Sequence, residues 1–257
     1  MKTKSRKMKK LFSQGILLIA FLFASNGVLA QSNSISVEHF DKIIVSPHIE
    51  VNLVEGSEES VLIENARLSG DKINVEVEGK TLRIYLDGAK MVTKSEKHDN
   101  GQWKGSKSIY NGTMATATIT YKNLDVLSVR GEEVINCESA IEQDDFKLRI
   151  YGESKVYLNA VSVDKLIVSI YGASYLEIKD GVVNNQVYRA YGESEVNTLD
   201  VGNTNTKITA YGESNFRVNV SDKLKVTCYG EASINYKGEA SVDKGIIIGE
   251  ASVRKIG

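Results

Sequence analysis

The sequence predicts an all-β protein whose chain winds as a β-solenoid with coils of about 20 residues. The first observation is a four-residue motif, Tyr-Gly-Glu-Ser, which returns in complete or degenerate form along the second half of the chain. The second is its regular spacing near 20 residues, which is typical of stacked repeats. The third is the strand-like alternation of apolar and polar residues around each glycine. The glycines of the motif are Gly131, Gly152, Gly172, Gly192, Gly212, Gly230 and Gly249.

Residues 1–30 have the three parts of a secretory signal peptide. A cluster of Lys and Arg occupies the first ten positions, and an apolar run follows from Leu11 to Phe23. Val28 and Ala30 then fit positions −3 and −1 of a cleavage site. The alternative, a transmembrane anchor, is disfavoured because the apolar run is too short to cross a bilayer comfortably. We therefore expect an exported protein, in the periplasm, on the outer cell surface or secreted, with no transmembrane segment in its mature chain.

The mature chain, residues 31–257, is expected to form a single, acidic β-solenoid domain. It would carry 26 basic and 33 acidic residues, which gives a net charge of −7. No basic patch with interleaved aromatic residues appears along the sequence, so we expect no nucleic-acid partner.

The two cysteines, Cys137 and Cys228, are not expected to form a disulfide. Several coils separate them, and stacked strands lie about 4.8 Å apart, which places the two residues roughly 20 Å or more from each other. Cys228 is instead predicted to be a small residue of the core.

Alternating apolar residues predict strands before the first coil. They cover residues 40–45, 49–54 and 60–64, and residues 73–86 are expected to form a hairpin. Each of these segments would bury one face and expose the other.

Residues 90–112 differ from the rest of the chain, because they are polar, contain glycines and have no period. This composition predicts an exposed, mobile loop. Trp103, the single tryptophan of the chain, lies within it. It is a candidate for binding a sugar or a protein partner, and the alternative is a side chain folded back on the strands.

Each coil places the same kinds of residues at the same distance from its glycine. Residues two before, two after and four after the glycine are small or apolar, so their side chains are predicted to point inward. Glu133, two residues after Gly131, is the exception. The strand is predicted to bend at each glycine, where a side chain would crowd the next coil. By the same alternation, the tyrosine before and the glutamate after each glycine are predicted to lie on the outer surface.

Several stretches resemble the GIN-domain family, the "putative auto-transporter adhesin" head domains of exported bacterial proteins, notably of the Bacteroidetes. These stretches are Phe40-Asp41-Lys42-Ile43-Ile44-Val45, residues 49–56, residues 121–129 and the Gly-x-Ser coils. The resemblance extends from Val37 to about Lys244. It implies a right-handed parallel β-helix-like domain outside the cytoplasm with a role in adhesion, and it brings no catalytic motif. It also implies that residues 90–112 are an insertion into the hairpin region.

Stacking of the coils would align five tyrosines in one outer row. Rings about 4.8 Å apart can stack in an offset manner, and each pair contributes about 0.5–1.5 kcal/mol. Two interpretations stay open: a flat aromatic strip that contacts a glycan or a protein, and a ladder that only stabilises the fold. The tyrosines are Tyr151, Tyr171, Tyr191, Tyr211 and Tyr229.

A second outer row would consist of the glutamates that follow the glycines. Like charges on neighbouring strands destabilise a sheet, so this row requires an explanation. One is Ca²⁺ binding, because closely spaced carboxylates suit this ion; the other is a solvated turn in which the carboxylates splay apart. Ala173 interrupts the row, and we expect no cofactor, with Ca²⁺ as the alternative. The glutamates assigned to the outer face are Glu153, Glu193, Glu213 and Glu231.

The sequence favours a non-enzymatic binding or adhesion module that presents a repetitive outer β face to a glycan or a protein. The three histidines are scattered, and no nucleophile, phosphate-loop or metal-ligand motif occurs. The carboxylates recur in coil after coil, whereas a catalytic residue would break the repeat. One alternative is a structural envelope protein that associates with itself through the ends of the solenoid. Another is a carbohydrate-active β-helix enzyme.

Overall fold

A computed structural model describes residues 34–99 and 104–257 of the chain. These residues belong to one compact unit, Ser32–Gly257. The expected signal peptide, residues 1–30, and Trp103 lie outside the described residues, so the predictions for them stay predictions. Within the part of the chain that is described, no helix is long and apolar enough to cross a membrane.

The described residues in the first half of the chain form nine short strands and one turn of 3₁₀ helix, Gly70–Lys72, which precedes β5. The predicted hairpin of residues 73–86 is confirmed, because β5 and β6 pair in an antiparallel manner. The strands are β1 Ser34–Ser36, β2 Lys42–Val45, β3 Ile49–Glu55, β4 Ser60–Ala66, β5 Ile73–Glu78, β6 Thr81–Leu86, β7 Ser95–Asp99, β8 Lys104–Ser108 and β9 Ala115–Tyr121.

The coils of the second half consist of longer strands, several of which run through the bend at the glycine without a break. This continuity follows from the parallel pairing, which persists on both sides of the bend. The strands are β10 Val126–Gly131, β11 Val134–Gly152, β12 Lys155–Gly172, β13 Tyr175–Ile178, β14 Gly181–Tyr191, β15 Ser194–Thr198, β16 Gly202–Asn219, β17 Lys223–Lys237 and β18 Ser241–Lys255.

The coil strands pair in parallel, and each glycine of the motif lies beside the glycine of the next coil. Gly131 pairs with Gly152, which pairs with Gly172, and Gly212 pairs with Gly230 in the same way. The all-β, parallel solenoid predicted from the period is therefore confirmed, and it has about six turns. We call the strands before the glycines the pre-glycine sheet, in the order β6-β2-β10-β11-β12-β14-β16-β17-β18. The strands after them form the post-glycine sheet, in the order β9-β3-β11-β12-β13-β15-β16-β17-β18.

The two ends of this stack differ. At the start, antiparallel strands cover it: β5 lies beside β6, and β4 lies between β9 and β1. At the other end, β18 has one hydrogen-bonded neighbour among the described strands, β17. The inward residues of β18 are consequently only partly buried, as Ile247 and Val253 are.

The interior between the sheets contains the residues predicted to point inward. The positions two before, two after and four after each glycine are buried from β10 through β17. The hydroxyl of Ser154 donates a 2.9 Å hydrogen bond to the carbonyl of Gly131, and Ser174 donates one of 3.0 Å to Gly152. A serine at this place therefore links consecutive coils while it fills a narrow space.

Gly172 shows why the motif needs glycine at the bend. Its φ angle is +125°, a backbone conformation that residues with a side chain rarely adopt. A Cβ atom built on it would lie 2.2 Å from the carbonyl oxygen of Gly152 in the preceding coil. The predicted bend and the predicted crowding are both confirmed at this position.

The prediction of an irregular loop for residues 90–112 is wrong for ten of them. Ser95–Asp99 and Lys104–Ser108 pair as an antiparallel hairpin that forms a separate two-stranded sheet. Backbone hydrogen bonds hold this hairpin, so it needs no apolar face, and its polar sequence gave no period from which to predict it. Whether the segment is an insertion relative to the rest of the family stays a prediction.

Candidate functional site

The five tyrosines of the motif form one continuous stack on the outer surface of the pre-glycine sheet. Neighbouring ring centroids are 4.9 Å apart for the first three pairs and 4.7 Å for the last. The planes of paired rings differ by only 2–5°. This spacing equals the distance between strands, so the parallel register of the coils alone is sufficient to produce the stack. The predicted outward ladder is confirmed as a structure, and its binding role stays a prediction.

Each inner ring of the stack has both of its faces covered by a neighbouring tyrosine. Tyr171, Tyr191 and Tyr211 nevertheless keep 41%, 37% and 39% of their surface exposed. What they expose is therefore the ring edge and the hydroxyl group. The row is thus not a flat strip on which a sugar ring could stack, because the ring faces are already occupied.

Arg130 occupies the tyrosine's place in the first coil and covers the end of the stack. Its guanidinium carbon lies 4.5 Å from the centroid of the Tyr151 ring, which is a cation–π arrangement. At the other end, Ile248 of β18 follows Tyr229 in register. Ile248 is 62% exposed.

Two further rows lie beside the tyrosines on the same surface, three and five residues before the glycines. We call the outward side chains one, three and five residues before the glycines, on β10, β11, β12, β14, β16 and β17, the tyrosine face. All of them except Ser128 are at least partly exposed. The row three residues before the glycines contains Ser128, Arg149, Ser169, Arg189, Thr209 and Thr227, and the row five before contains Val126, Lys147, Ile167, Val187, Lys207 and Lys225.

This face corrects one observation made on the sequence. The linear sequence shows no basic patch with interleaved aromatic residues, but the fold places five basic residues, within two otherwise neutral rows, beside an aromatic row. The contributing residues are about 20 positions apart, so no short window of sequence is basic. Alignment of the coils three and five positions before each glycine is the signal that could have found them.

The predicted glutamate row lies beyond the bend, at the start of the post-glycine sheet, and its members are exposed. Glu213, Glu231 and Glu250 line a shallow depression of about 270 Å³ together with polar residues such as Ser252. Glu153 and Glu193 line a neighbouring one. Among the described residues, no group of three or more His, Cys, Asp or Glu side chains is arranged to hold a metal ion.

A pocket of about 430 Å³ lies at the beginning of the tyrosine stack, and the sequence did not predict it. Its lining includes Met91, Val92, Arg130 and Tyr151. These residues come from separate parts of the chain, and no local pattern connects them.

The inner wall of this pocket holds Glu133, the residue noted as the exception to the inward pattern. Its side chain is only 5% exposed, so Glu133 points inward although it is an acidic residue. Its carboxylate accepts a 3.0 Å hydrogen bond from the backbone N–H of Glu132 and lies 3.8 Å from Nδ1 of His48. His48 Nδ1 donates to the carbonyl of Gly112, and Nε2 bonds to the Thr93 hydroxyl at 2.6 Å. The pocket therefore contains the buried carboxyl group of Glu133 beside the His48 imidazole, which its hydrogen bonds to Gly112 and Thr93 hold in place.

The two cysteines are buried free thiols, as expected. Burial raises the pKa of the Cys137 thiol to about 11, and the thiol lies 3.5 Å from the Tyr121 hydroxyl. Burial also raises the pKa of Cys228. Both thiols are therefore protonated near neutral pH and unsuited to act as nucleophiles.

The fold and this surface define a class of protein: a β-solenoid with a repetitive, exposed outer face. Residues 39–240 match the family described as "putative auto-transporter adhesin, head GIN domain". The match covers most of the chain, which therefore belongs to this family, and the resemblance seen in the sequence is confirmed. Among curated proteins, no match to the chain was found.

Solved structures of bacterial proteins have a similar fold. One is described as a putative adhesin from Bacteroides fragilis, with a TM-score of 0.71 and 17% identity. A second, a putative adhesin from Parabacteroides merdae, has a TM-score of 0.59 and 19% identity. A third, described as a putative lipid binding protein from Parabacteroides distasonis, has a TM-score of 0.62 and 20% identity. Each comparison covers 87% of this chain and 95% of the other. At these identities the likeness concerns the fold.

Proposed function

We propose that the chain is an exported, non-enzymatic binding module of the adhesin type, and that its tyrosine face attaches to a glycan or a protein on a surface. The observation that carries this proposal is the tyrosine stack itself. Five tyrosines, three exposed and two partly exposed, lie on a regular support, in which every ring is held by its neighbours and every strand by backbone hydrogen bonds. Because the side chains are ordered before contact, binding costs little conformational entropy.

The adhesin description of the family supports a role outside the cytoplasm. The basic start, the apolar run and the small-residue cleavage site of residues 1–30 support the same location. Periplasm, outer surface and medium are all compatible with this export route.

The repetition of the coils supports a non-enzymatic role. Binding along a surface gains from identical residues in consecutive coils, since each coil adds a similar contact. Catalysis instead needs one unique constellation of groups at the reacting atoms.

The proposal is tested by removing the tyrosine hydroxyls without removing the rings. In the triple variant Tyr171→Phe/Tyr191→Phe/Tyr211→Phe the stack persists, but a row of hydrogen-bonding groups is lost. The matched control is Tyr157→Phe/Tyr175→Phe, which changes a second tyrosine pair, with centroids 5.7 Å apart, on the post-glycine sheet. Binding to a glycan array and to intact bacterial and host cells is measured by fluorescence. The triple variant is expected to bind several-fold more weakly, with the control unchanged. Equal binding by both variants and the wild type would refute the proposed face.

A second candidate function, self-association, rests on the free edge of β18. An edge strand with unpaired backbone groups is a template for pairing with another chain. Ile246 and Ile248 on this strand are 58% and 62% exposed. Sedimentation of the chain at increasing concentration tests this candidate, and introducing Ile246→Lys should abolish any association. A strictly monomeric wild type would contradict it.

A further inference from the structure

The three rows of the tyrosine face carry charge of one sign, although the mature chain is acidic as a whole. Carboxylates begin at their edge, where Asp125, Asp144 and Asp145 line a depression together with Lys147. Each of the six strands of the face contributes three outward positions, and none of these positions holds an Asp or a Glu. The glutamate row lies beyond the bend, on the other sheet. The basic residues of the face are Arg130, Lys147, Arg149, Arg189, Lys207 and Lys225.

Most of these charges are not neutralised by a neighbour. Lys225 forms an ion pair with Asp243 at 3.3 Å. Within the described residues, no ion pair involves Arg149, Arg189 or Lys207. Exposed basic groups that have no carboxylate partner among the described residues leave a positive potential, which attracts an anionic ligand.

The tyrosine stack favours an anionic ligand, as the basic residues of the face do. An aromatic ring is negative on its faces and positive at its edge. In this stack the faces are covered, so the exposed edges add to the positive potential. The phenol hydroxyls can donate to anionic oxygens and can also exchange hydrogen bonds with the hydroxyl groups of a sugar.

The basic residues are spread along the solenoid axis. Lys147 lies on β11 and Lys225 on β17, four strand positions further, which corresponds to about 19 Å at the usual strand spacing. A small anion would meet one or two of these charges. An extended polymer lying along the axis would meet them in series.

We propose that the tyrosine face binds a linear, anionic polysaccharide that carries carboxylate or sulfate groups and lies along the axis of the solenoid. This inference rests on the proposed function and specifies the chemical class of its ligand. Arg149, Arg189 and Lys207 supply the charge, and the tyrosine hydroxyls supply hydrogen bonds to the sugar.

A single-stranded nucleic acid fits this face less well, although it is also an anionic polymer. Proteins bind such strands by stacking bases on the faces of aromatic side chains. Here the tyrosines cover one another's faces, and Arg130 covers the outer face of Tyr151. The face thus offers charge and hydrogen bonds without a platform for stacking.

The test compares two variants that lose the same number of positive charges. The face variant is Arg149→Gln/Arg189→Gln/Lys207→Gln. The control is Lys155→Gln/Arg217→Gln/Arg254→Gln, three exposed residues on the post-glycine sheet. Circular dichroism confirms that both fold. Binding of alginate, dextran sulfate, uncharged dextran and oligo-dT is measured by biolayer interferometry at several NaCl concentrations.

We expect the wild type and the control to bind alginate or dextran sulfate, with an affinity that falls as salt rises. The face variant should bind at least about tenfold more weakly. In a plot of the logarithm of its association constant against the logarithm of the NaCl concentration, the slope should be smaller in magnitude by about two. If uncharged dextran binds as tightly as the anionic polymers, this inference is wrong and the proposed function still stands. If oligo-dT binds more tightly than the anionic polysaccharides, the ligand class is wrong. If the face variant and the control variant lose affinity equally, the assignment to this face is wrong. Absence of binding to any glycan or cell surface overturns both proposals.

Discussion

Replacement of Gly172 by alanine tests the geometry of the bend on which every outer row depends. The backbone there has a φ angle of +125°, outside the left-handed region that some residues with side chains adopt. Holding alanine in such a conformation costs about 2 kcal/mol. The new Cβ would also lie 2.2 Å from the carbonyl oxygen of Gly152. Moving the backbone to relieve this contact adds about 2 kcal/mol, so the total is about 4 kcal/mol.

Urea denaturation followed by circular dichroism measures this loss of stability. Gly79→Ala is the matched control, because Gly79 also has a positive φ, +60°, but no atom lies within 4 Å of its added Cβ. It should cost only about 1 kcal/mol. In thermal unfolding, the two variants should melt about 10 °C and about 3 °C below the wild type. Equal destabilisation by the two replacements would refute the claim that contact between coils dictates glycine at the bend.

Four further predictions concern single groups and the cation hypothesis. Tyr191→Ala removes two stacking contacts and should cost about 1–3 kcal/mol, whereas Tyr191→Phe should cost less than 1 kcal/mol; urea midpoints compare them. Tyr188→Phe removes a buried hydroxyl that donates to Gln186 Oε1 at 3.0 Å, and its thermal midpoint should correspond to a loss of about 1–2 kcal/mol. The Cys137 thiol, whose pKa burial raises from 9.0 to about 11, holds its proton more tightly in the folded state than in the unfolded state. Its contribution of about 3 kcal/mol to the free energy of unfolding is therefore complete below pH 9 and is lost as pH rises towards 11. Cys137→Ala should therefore flatten the alkaline decline of stability measured in urea. Added Ca²⁺ at millimolar concentration should leave the melting temperature unchanged, and an upward shift would instead support a cation site among the glutamates.

The period and the alternation of the motif were sufficient to predict the solenoid, the inward residues and the tyrosine row. These features depend on a single repeated register, and one alignment of the coils reveals them. Strands β2, β3, β6 and β9 also join the stack, although their sequences lack the motif. They pair through backbone groups, which leave no signature in the side chains.

The candidate site was predicted less completely than the fold. The sequence placed the tyrosines outward but could not show that their faces cover each other, because ring orientation depends on rotamers. It likewise missed the pairing of Glu133 with His48, because the two residues belong to different turns of the stack. That Arg149 and Arg189 have no ion-pair partner among the described residues depends on where the carboxylates lie in three dimensions.

Protection of the tyrosines from nitration by a bound polymer most directly tests the claim that the tyrosine face is the binding surface. The protein is treated with tetranitromethane in the presence and absence of alginate, and nitrated sites are quantified by mass spectrometry. If the polymer binds the tyrosine face, it will lower the nitration of Tyr171, Tyr191 and Tyr211 but not of Tyr175, which lies on the post-glycine sheet. Protection of Tyr175 with full nitration of the ladder, while alginate is bound, would contradict it.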